Sequence, residues 1–366
     1  MAGWKSTMED MEVNSGFWCN KRVFITGHTG FKGSWLSLWL QSMGAEVYGY
    51  ALNPPTRVNI FSVAQVSNDM ASSVIADLRE PDKLHKSMQL ASPDIVFHLA
   101  AQPLVRYSYE NPVETYEVNV MGTLHMLEAV RTTPSVKAVV NITTDKCYEN
   151  REWVWGYRED DAMGGFDPYS SSKGCAELIT SAYRNSFLES EGISLASARA
   201  GNVIGGGDWA DDRLIPDILR AMDSGTTLEI RSPNSTRPWQ HVLEPLSGYL
   251  MLAEQLYTNS SGFSEAWNFG PADEDARPVS WIIERMAKMR SEVSWQYNKT
   301  QQPHEANFLK LDSSKAHSQL NWWPRWSLET ALEKTLEWHQ AWRNDKDMKK
   351  VTLAQIFDYD SINYDD

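Results

Sequence analysis

The chain is short of cysteine, of long apolar runs and of basic charge, and each shortage removes a class of function. Its three cysteines, Cys19, Cys147 and Cys175, cannot all pair and show no metal-ligand spacing. That pattern argues against a disulfide scaffold or a zinc site, leaves no metal ligand set to assign, and fits a reducing compartment. No stretch is long and apolar enough to span a bilayer, and the polar, acidic first twenty residues lack the basic start and apolar middle of a signal peptide. A cytoplasmic protein is expected. Asp and Glu number 48 against 34 Lys and Arg, a net charge of −14, and no run of basic residues offsets it. Nucleic acid and acidic membranes are therefore not expected partners, and an anionic small ligand would need a few converging cations. Internal repeats and low-complexity segments are lacking too.

What is present is ample apolar material, 42% of 366 residues, enough for two lobes sharing one crevice. The 16 tryptophans are unusually many. Trp322, Trp323 and Trp326 read as packing groups, with stacking on a base or sugar as the alternative.

The chain is organised around Thr26-Gly27-His28-Thr29-Gly30-Phe31-Lys32-Gly33, which follows the apolar run Arg22 to Ile25 and precedes the helix-like Ser34 to Met43. Glycines at this spacing let the backbone turn sharply out of a strand, approach a pyrophosphate, and aim a helix N-terminus at it. Further strands are expected at Glu46 to Tyr50, Val74 to Ala76, Asp94 to Leu99, Ala138 to Thr143 and Ser194 to Ala200, each buried on both faces. Helices are expected at Asp82 to Leu90, Val113 to Arg131 and Tyr169 to Glu191. The alternation predicts an α/β fold, a doubly wound parallel sheet of Rossmann type with its ligand crevice at the strands' carboxyl ends. Residues 1–20 read as an extension of uncertain order and 21–200 as a dinucleotide-binding domain. Residues 201–366 read mainly as an interleaved substrate lobe, with segments near 240–270 returning to the first domain and helices at Leu214 to Met222 and Leu243 to Leu256.

The second strand poses a test. NAD-binding folds usually place an acidic residue on the adenosine ribose about twenty residues beyond the glycine loop, and here Leu52 and Asn53 stand there. Asn53 can bond a hydroxyl and Arg57 would not oppose a 2′-phosphate, so these residues leave NAD and NADP both open. With His28 and Lys32 inside the loop, cofactor binding is expected to lean on the pyrophosphate more than on the ribose. Asp77 reads as an adenine-side contact or as an exposed loop carboxylate before Leu78.

Two later stretches carry chemistry. Tyr169 and Lys173 lie four residues apart at a helix start, on one face, where nearby positive charge can favour the phenolate. Thr144, Asp145 and Lys146 follow a strand and emerge at the sheet's carboxyl edge. Thr144 can bond a substrate hydroxyl, and the Asp145/Lys146 pair supplies an acid and a base beyond what hydride transfer demands. An adjacent acid and base favour both charged forms, so their titrations are expected to be coupled. For a nucleotide diphosphate the cationic candidates are Arg213 and Arg237, with Asn202 placed to reach the same phosphates. His98 and His241 have no second ligand at suitable spacing and read as packing or hydrogen-bonding groups rather than metal ligands; Cys147 lacks a partner base.

The Thr-Gly-x-x-Gly-x-x-Gly loop, Asp77-Leu78, His98-Leu99-Ala100-Ala101-Gln102, Asn119 with Gly122-Thr123, Thr-Thr-Asp-Lys and Tyr-x-x-x-Lys occur in the order of the extended short-chain dehydrogenase/reductase superfamily, which the chain resembles. Among the nucleotide-sugar enzymes it most resembles the CDP-D-glucose 4,6-dehydratase family, from about Phe17 to Trp342, with the Gly27 to Trp35 loop, Thr144-Asp145-Lys146 and Arg237-Pro238-Trp239-Gln240-His241-Val242 carrying the likeness. Relatives acting on dTDP-glucose or GDP-mannose carry Asp-Glu or similar where Asp145-Lys146 stands. The resemblance implies NAD as cofactor, held by Gly27, His28, Thr29, Gly30, Phe31, Lys32 and Gly33, by Asn53, Arg57, Asp77 and Leu78, and by Leu99, Ala100, Ala101, Asn119, Thr143, Tyr169 and Lys173. It implies CDP-glucose as substrate, met by Gln102, Thr144, Asn202, Arg213, Leu214, Arg237 and His241. Tyr169 with Lys173 and Thr144 would oxidise C4, Lys146 would take the C5 proton, and Asp145 would protonate the departing C6 hydroxyl. A homo-oligomer, dimer or tetramer, paired through the long helices is implied as well. A nucleotide-sugar 4-epimerase would share Tyr169 and Lys173 without using the acid/base pair, and a non-catalytic dinucleotide sensor would need none of these groups.

Overall fold

The computed structural model describes residues 13–259, 262–290, 294–297 and 308–362. Arg22–Thr26 (β1), Glu46–Ala51 (β2), Ser72–Ile75 (β3), Ile95–His98 (β4), Ala138–Ile142 (β5) and Ser194–Ala200 (β6) join Ala266–Phe269 in a seven-stranded sheet. Its order is Ala266–Phe269, β6, β5, β4, β1, β2, β3. Every ladder is parallel, with Arg22 opposite Glu46, Val23 opposite Ile95 and Ala138 opposite Ser194, so the carboxyl ends of β1, β4 and β5 share one edge.

Side-chain alternation explains the unbroken apolar runs. Val23, Ile25, Ile95, Phe97, Val140 and Ile142 face one helical layer, while Phe24, Val96 and Val139 face the other, so both strand faces need apolar residues. The third strand departs from this expectation. It is Ser72–Ile75, alternately half-buried and exposed, because it is the sheet's edge and has a neighbour on one side only.

Two expected long helices are interrupted. The first runs Pro112–Tyr116, widens into a π turn at Glu117–Met121 and resumes as Gly122–Arg131. Gly122 faces Leu78, where a Cβ would meet the leucine side chain at 3.2 Å. The second runs Pro168–Tyr183, then a π turn at Arg184–Leu188 and a 3₁₀ turn at Glu189–Glu191. The helix after the glycine loop, Phe31–Ser42, is buried from Gly33 through Leu40. It can be apolar all round because the sheet covers one side and the C-terminal helix Met348–Asp360 another: Trp39 sets its ring 5.8 Å from that of Tyr359 and donates Nε1–H to Asp360 at 3.2 Å. Of residues 13–20, read with the extension, Trp18 instead joins the core, with Val13 and Phe17 packed against it. Asn14 caps a helical turn at Ser15–Trp18, and Trp18 is fully buried beside Phe97, 6.1 Å away. Residues 1–12 lie outside the described residues.

After β6 the chain builds a small three-stranded sheet from Asn202–Ile204, Thr236–His241 and Ala276–Pro278. Ile204, Ile218, Trp239, Ile283 and Leu332 form its separate core with the helices Leu214–Ser224, Val279–Met289 and Leu328–Arg343. Leu243–Thr258 packs back on the large sheet through Leu246 and Leu250, and Ala266–Phe269 pairs with β6. The Gly205-Gly206-Gly207 stretch lets the two parts meet closely. A Cβ on Gly206 would lie 2.0 Å from the Trp338 ring, and Trp35, on the glycine-loop helix, donates Nε1–H to the Gly206 carbonyl at 2.9 Å. Trp322 and Trp326 are buried as expected, whereas Trp323 is 44% exposed and stacks on His317 at 3.8 Å.

Candidate active site

The glycine loop is dictated by contact. Gly27 has φ +80°, and a Cβ there would lie 2.7 Å from the Ala100 nitrogen; one on Gly33 would lie 2.1 Å from the Gly27 carbonyl oxygen. Leu99 and Ala100 thus form the wall against which the loop turns. Gly30 is the N-cap of the Phe31–Ser42 helix and offers no side-chain cap, so that helix start is left to an external acceptor.

The three loop residues with polar reach behave differently. The His28 side chain does not share the loop's open face. Its ring occupies the space a Gly49 side chain would need, its Nε2 meets Ser73 Oγ at 2.8 Å, and burial pushes it down to about 4. Thr29 donates its hydroxyl to the Leu52 carbonyl at 2.8 Å, fixing loop to β2. Lys32 faces the catalytic groups. Burial, then the positive charges of Arg213 and Lys173, lower it to about 7 against the opposing pull of Asp145.

At the β2 end Asn53 and Arg57 are exposed, Arg57 on an open groove shared with Trp209, Asp211 and Arg220. The Asp77 carboxylate is held by Arg79 at 2.7 Å, and hydrogen bonding from Arg79 keeps it below its ordinary value. Leu78 is buried against Gly122. His98 sits between Thr26, 2.7 Å from Nδ1, and Thr123, 3.3 Å from Nε2, with burial pushing it down to about 3. It is a neutral hydrogen-bonding group in the sheet.

Asn119, expected to touch cofactor, is an internal clamp, and the π turn is what turns it inward. Its Oδ1 accepts from the Gln102 amide at 2.8 Å, while its Nδ2 donates to the Gln102 carbonyl at 3.1 Å and to Ser172 Oγ at 2.9 Å. The Gln102 side chain is likewise engaged locally, donating to Thr115 at 2.9 Å and accepting from the Leu104 amide at 2.6 Å. Ala101 joins this wall half-buried.

Asp167 caps the Pro168–Tyr183 helix, accepting from the Ser170 amide at 2.9 Å, and Pro168 at the first position fixes where it starts. Tyr169 and Lys173 are consequently buried one turn apart. Burial raises the Tyr169 phenol, opposed first by a hydrogen bond with Thr144 and also by the Arg213 charge. Burial lowers Lys173 to about 8, opposed by Glu177, and its Nζ lies 3.5 Å from the Ile142 carbonyl.

Across from this helix, Thr144 caps a short turn at Asp145–Cys147 and donates its hydroxyl to Asp145 Oδ1 at 2.9 Å. Asp145 is 1% exposed, and its Oδ2 has no hydrogen-bond partner among the described residues. Burial raises its carboxyl, with Lys146, Thr144, Arg237 and Lys32 pulling the other way. Desolvation thus outweighs the Lys146 charge, which alone would favour the ionised form. Gly201 makes the room, since a Cβ there would stand 3.2 Å from Asp145 Oδ2 and 2.5 Å from the Pro238 ring. Cys147 is fully buried with its thiol pushed well up by desolvation, a packing group.

Arg237 is buried beside this carboxylate and donates to the Thr236 carbonyl at 3.0 Å. Arg213 is half-buried, pairs with Asp208 at 2.9 Å and directly precedes Leu214, the first residue of its helix. Asn202 begins the strand that pairs with Trp239. His241, expected at the substrate, is instead fully buried between Trp35 and Trp326, with ring centroids 5.8 and 4.7 Å away. The site also contains residues not anticipated above: Asp208, Gly201, and a buried Glu177–Arg199 pair behind the Thr143 to Tyr148 segment. Glu177 four residues beyond Lys173 was the available signal. Thr143, expected to meet cofactor, donates its hydroxyl to Glu177 instead.

A parallel sheet with a glycine loop on β1, and a buried Tyr-x-x-x-Lys helix facing the end of β5, defines the extended short-chain dehydrogenase/reductase class. A family model described as GDP-mannose 4,6 dehydratase matches residues 24–335, and the chain belongs to this family of nucleotide-sugar 4,6-dehydratases. It is 57% identical to a CDP-glucose 4,6-dehydratase of Salmonella typhimurium, over 95% of this chain and 98% of that protein. Among solved structures, an epimerase from Methanothermobacter thermautotrophicus superposes with TM-score 0.78 at 22% identity, covering 91% of this chain and 97% of that one. A dTDP-glucose 4,6-dehydratase from Bacillus anthracis in complex with NAD superposes with TM-score 0.72 at 20% identity, covering 88% and 99%.

Proposed function

We propose that this chain is an NAD-dependent hydro-lyase, a CDP-D-glucose 4,6-dehydratase that converts CDP-D-glucose to CDP-4-keto-6-deoxy-D-glucose and water. The observation that carries the reading is Asp145: a buried carboxyl with an oxygen unpartnered among the described residues, beside Lys146 and across from Tyr169 and Lys173, in a chain 57% identical along its length to a CDP-glucose 4,6-dehydratase. An epimerase has no step for such an acid. The loop supports a dinucleotide, because Gly27 and Gly33 let the backbone fold tightly on itself and against Leu99 and Ala100 at an uncapped helix start.

NAD held at this loop would supply a reversible hydride acceptor for C4 and C6 and a positive charge that favours the Tyr169 phenolate. Tyr169 accepts the C4 hydroxyl proton, with Lys173 supporting its charge and Thr144 holding the hydroxyl. The resulting C4 carbonyl acidifies C5–H. Lys146 takes the C5 proton while Asp145 gives its proton to the C6 hydroxyl, which leaves as water and forms the C5–C6 double bond. As hydride returns to C6, Lys146 returns its proton to C5. A raised Asp145 carboxyl suits this role, since a general acid must hold its proton until transfer. Arg213 and Arg237 hold the diphosphate, and Arg213 exchanges part of its Asp208 pairing for phosphate oxygens.

Exposed apolar side chains on the two interrupted helices, Val113 and Met121 on one and Leu178 and Phe187 on the other, support pairing of two copies in a homo-oligomer. Among the described residues no helix is long and apolar enough to cross a membrane, in keeping with a cytoplasmic enzyme supplying deoxysugar and O-antigen synthesis. The test is a panel of CDP-, UDP- and dTDP-glucose and GDP-mannose with catalytic NAD, read by mass spectrometry for loss of water. Preference for CDP-glucose is expected; turnover without loss of water contradicts the assignment.

A further inference from the structure

Behind the catalytic segment lies a buried network with no direct place in the reaction above. Glu177 is on the Tyr169/Lys173 helix, one turn after Lys173, and Arg199 is on β6. Glu177 takes both nitrogens of an arginine fork, Arg199 Nε at 3.0 Å and Nη2 at 2.8 Å, and accepts from Ser197 at 2.7 Å and from the Thr143 hydroxyl. Arg199 Nη1 reaches onward to Tyr148 Oη at 2.7 Å and to the Glu159 carbonyl at 2.9 Å. Tyr148 in turn donates its hydroxyl to Asn268 Oδ1 at 2.7 Å. Both charges are about 95% buried, at 5% and 3% exposure. A pair this desolvated is poor evidence for stability, since apolar residues of like volume often do as well. Its geometry is more informative.

The contacts fall on Thr143 and Tyr148, the two residues that flank Thr144-Asp145-Lys146-Cys147. We propose that Glu177 and Arg199 are positioning residues: they clamp both ends of the acid/base segment to the helix that carries Tyr169 and Lys173. A single rigid pair then sets the spacing between the group that serves C4 and the groups that serve C5 and C6. The inference rests on the dehydratase reading for its kinetic consequence, but its structural content is independent of it. Displacing a catalytic group by about 1 Å costs up to about 10²-fold in rate. Because both elimination groups, Asp145 and Lys146, sit on the clamped segment, while C4 oxidation draws only Thr144 from it and keeps Tyr169 and Lys173 on their own helix, loss of the clamp slows elimination more than C4 oxidation.

The test compares Thr143→Val, Thr143→Ser and Ser197→Ala. Thr143→Val removes one hydroxyl at constant shape and leaves Glu177 with Arg199 and Ser197; Ser197→Ala trims the same carboxylate without touching the segment. Rapid-quench mass spectrometry with CDP-glucose separates substrate, the C4-oxidised sugar that still carries its C6 hydroxyl, and the dehydrated product. Thr143→Val is expected to build up the C4-oxidised sugar and to slow dehydration by about 10- to 100-fold. Thr143→Ser recovers most of that loss, and Ser197→Ala keeps the wild-type partition. Hydrogen exchange supplies a readout that needs no substrate: amides 143–148 exchange faster in Thr143→Val and not in Ser197→Ala. Wild-type partition and unchanged exchange in Thr143→Val overturn the clamp, as do equal effects from Ser197→Ala. Failure of the unaltered protein to dehydrate any sugar nucleotide overturns the dehydratase reading, and the exchange comparison still decides the clamp.

Discussion

Gly201→Ala tests how tightly the acid is fitted. A Cβ at this position would stand 2.5 Å from Pro238 Cγ, 3.0 Å from the Pro238 carbonyl oxygen and 3.2 Å from Asp145 Oδ2. All three are closer than ordinary van der Waals contact. Pro238 cannot yield freely, because its strand is paired on one side with Ala276–Pro278 and on the other with Asn202–Ile204. Gly201 is not in a left-handed conformation, so the cost is contact alone. Overpacking of this kind costs about 1–3 kcal/mol. Relief requires Pro238, its neighbour Arg237, or Asp145 to move by roughly 1 Å, a displacement worth up to about 10²-fold in rate. Denaturant unfolding should show a loss of about 1–3 kcal/mol with an unchanged slope. Dehydration of CDP-glucose should fall by about 10- to 100-fold under conditions where the variant is fully folded. A folded variant with wild-type turnover would refute the claim that Asp145 and Pro238 leave no room at this position.

Asp145→Asn and Lys146→Met should each retain C4 oxidation while losing elimination, with dehydrated product falling by at least about 10²-fold; normal product from either variant contradicts the division of roles. Glu244 should shape stability with pH. Burial raises it from 4.5 to about 7 although it accepts hydrogen bonds from the Trp326 amide at 2.7 Å and Tyr359 Oη at 2.7 Å. Its folded pKa exceeds its unfolded one, so the folded state binds more protons between these values and stability from this group falls as pH rises from 4.5 to 7. Glu244→Gln should flatten that fall, measured as urea midpoints against pH; an unchanged slope contradicts the assignment.

The parts of the fold written as local pattern were legible. Apolar runs buried on both faces announced β1, β4, β5 and β6, and three glycines after β1 announced the loop, two of which, Gly27 and Gly33, stand where close approach permits no other residue. What the sequence concealed was direction. His28 and His241 stand inside recognisable motifs, yet His28 turns beneath β2 and β3 and His241 into a tryptophan cluster. Nor could the sequence show that Asn119 bonds Gln102 and Ser172, since the π turn on which it sits leaves no trace in composition. Ser72–Ile75 is only partly covered because an edge strand has a neighbour on one side alone. Trp18 gave no periodic signal in a four-residue turn, although it is wholly buried. Glu177 and Arg199 were hidden for a related reason. A charged residue at helical spacing normally marks a solvated face, and only the tertiary fold brings β6 behind the helix to pair them.

The central claim is that the hydride leaves C4 and comes back at C6 of the same sugar, with water lost between. CDP-glucose deuterated at C4, incubated with the protein and a catalytic amount of NAD, measures this directly. Deuterium recovered at C6 of a 4-keto-6-deoxy product is the predicted result. Deuterium back at C4, in a sugar that has kept its C6 hydroxyl, would contradict the account and make the protein an epimerase.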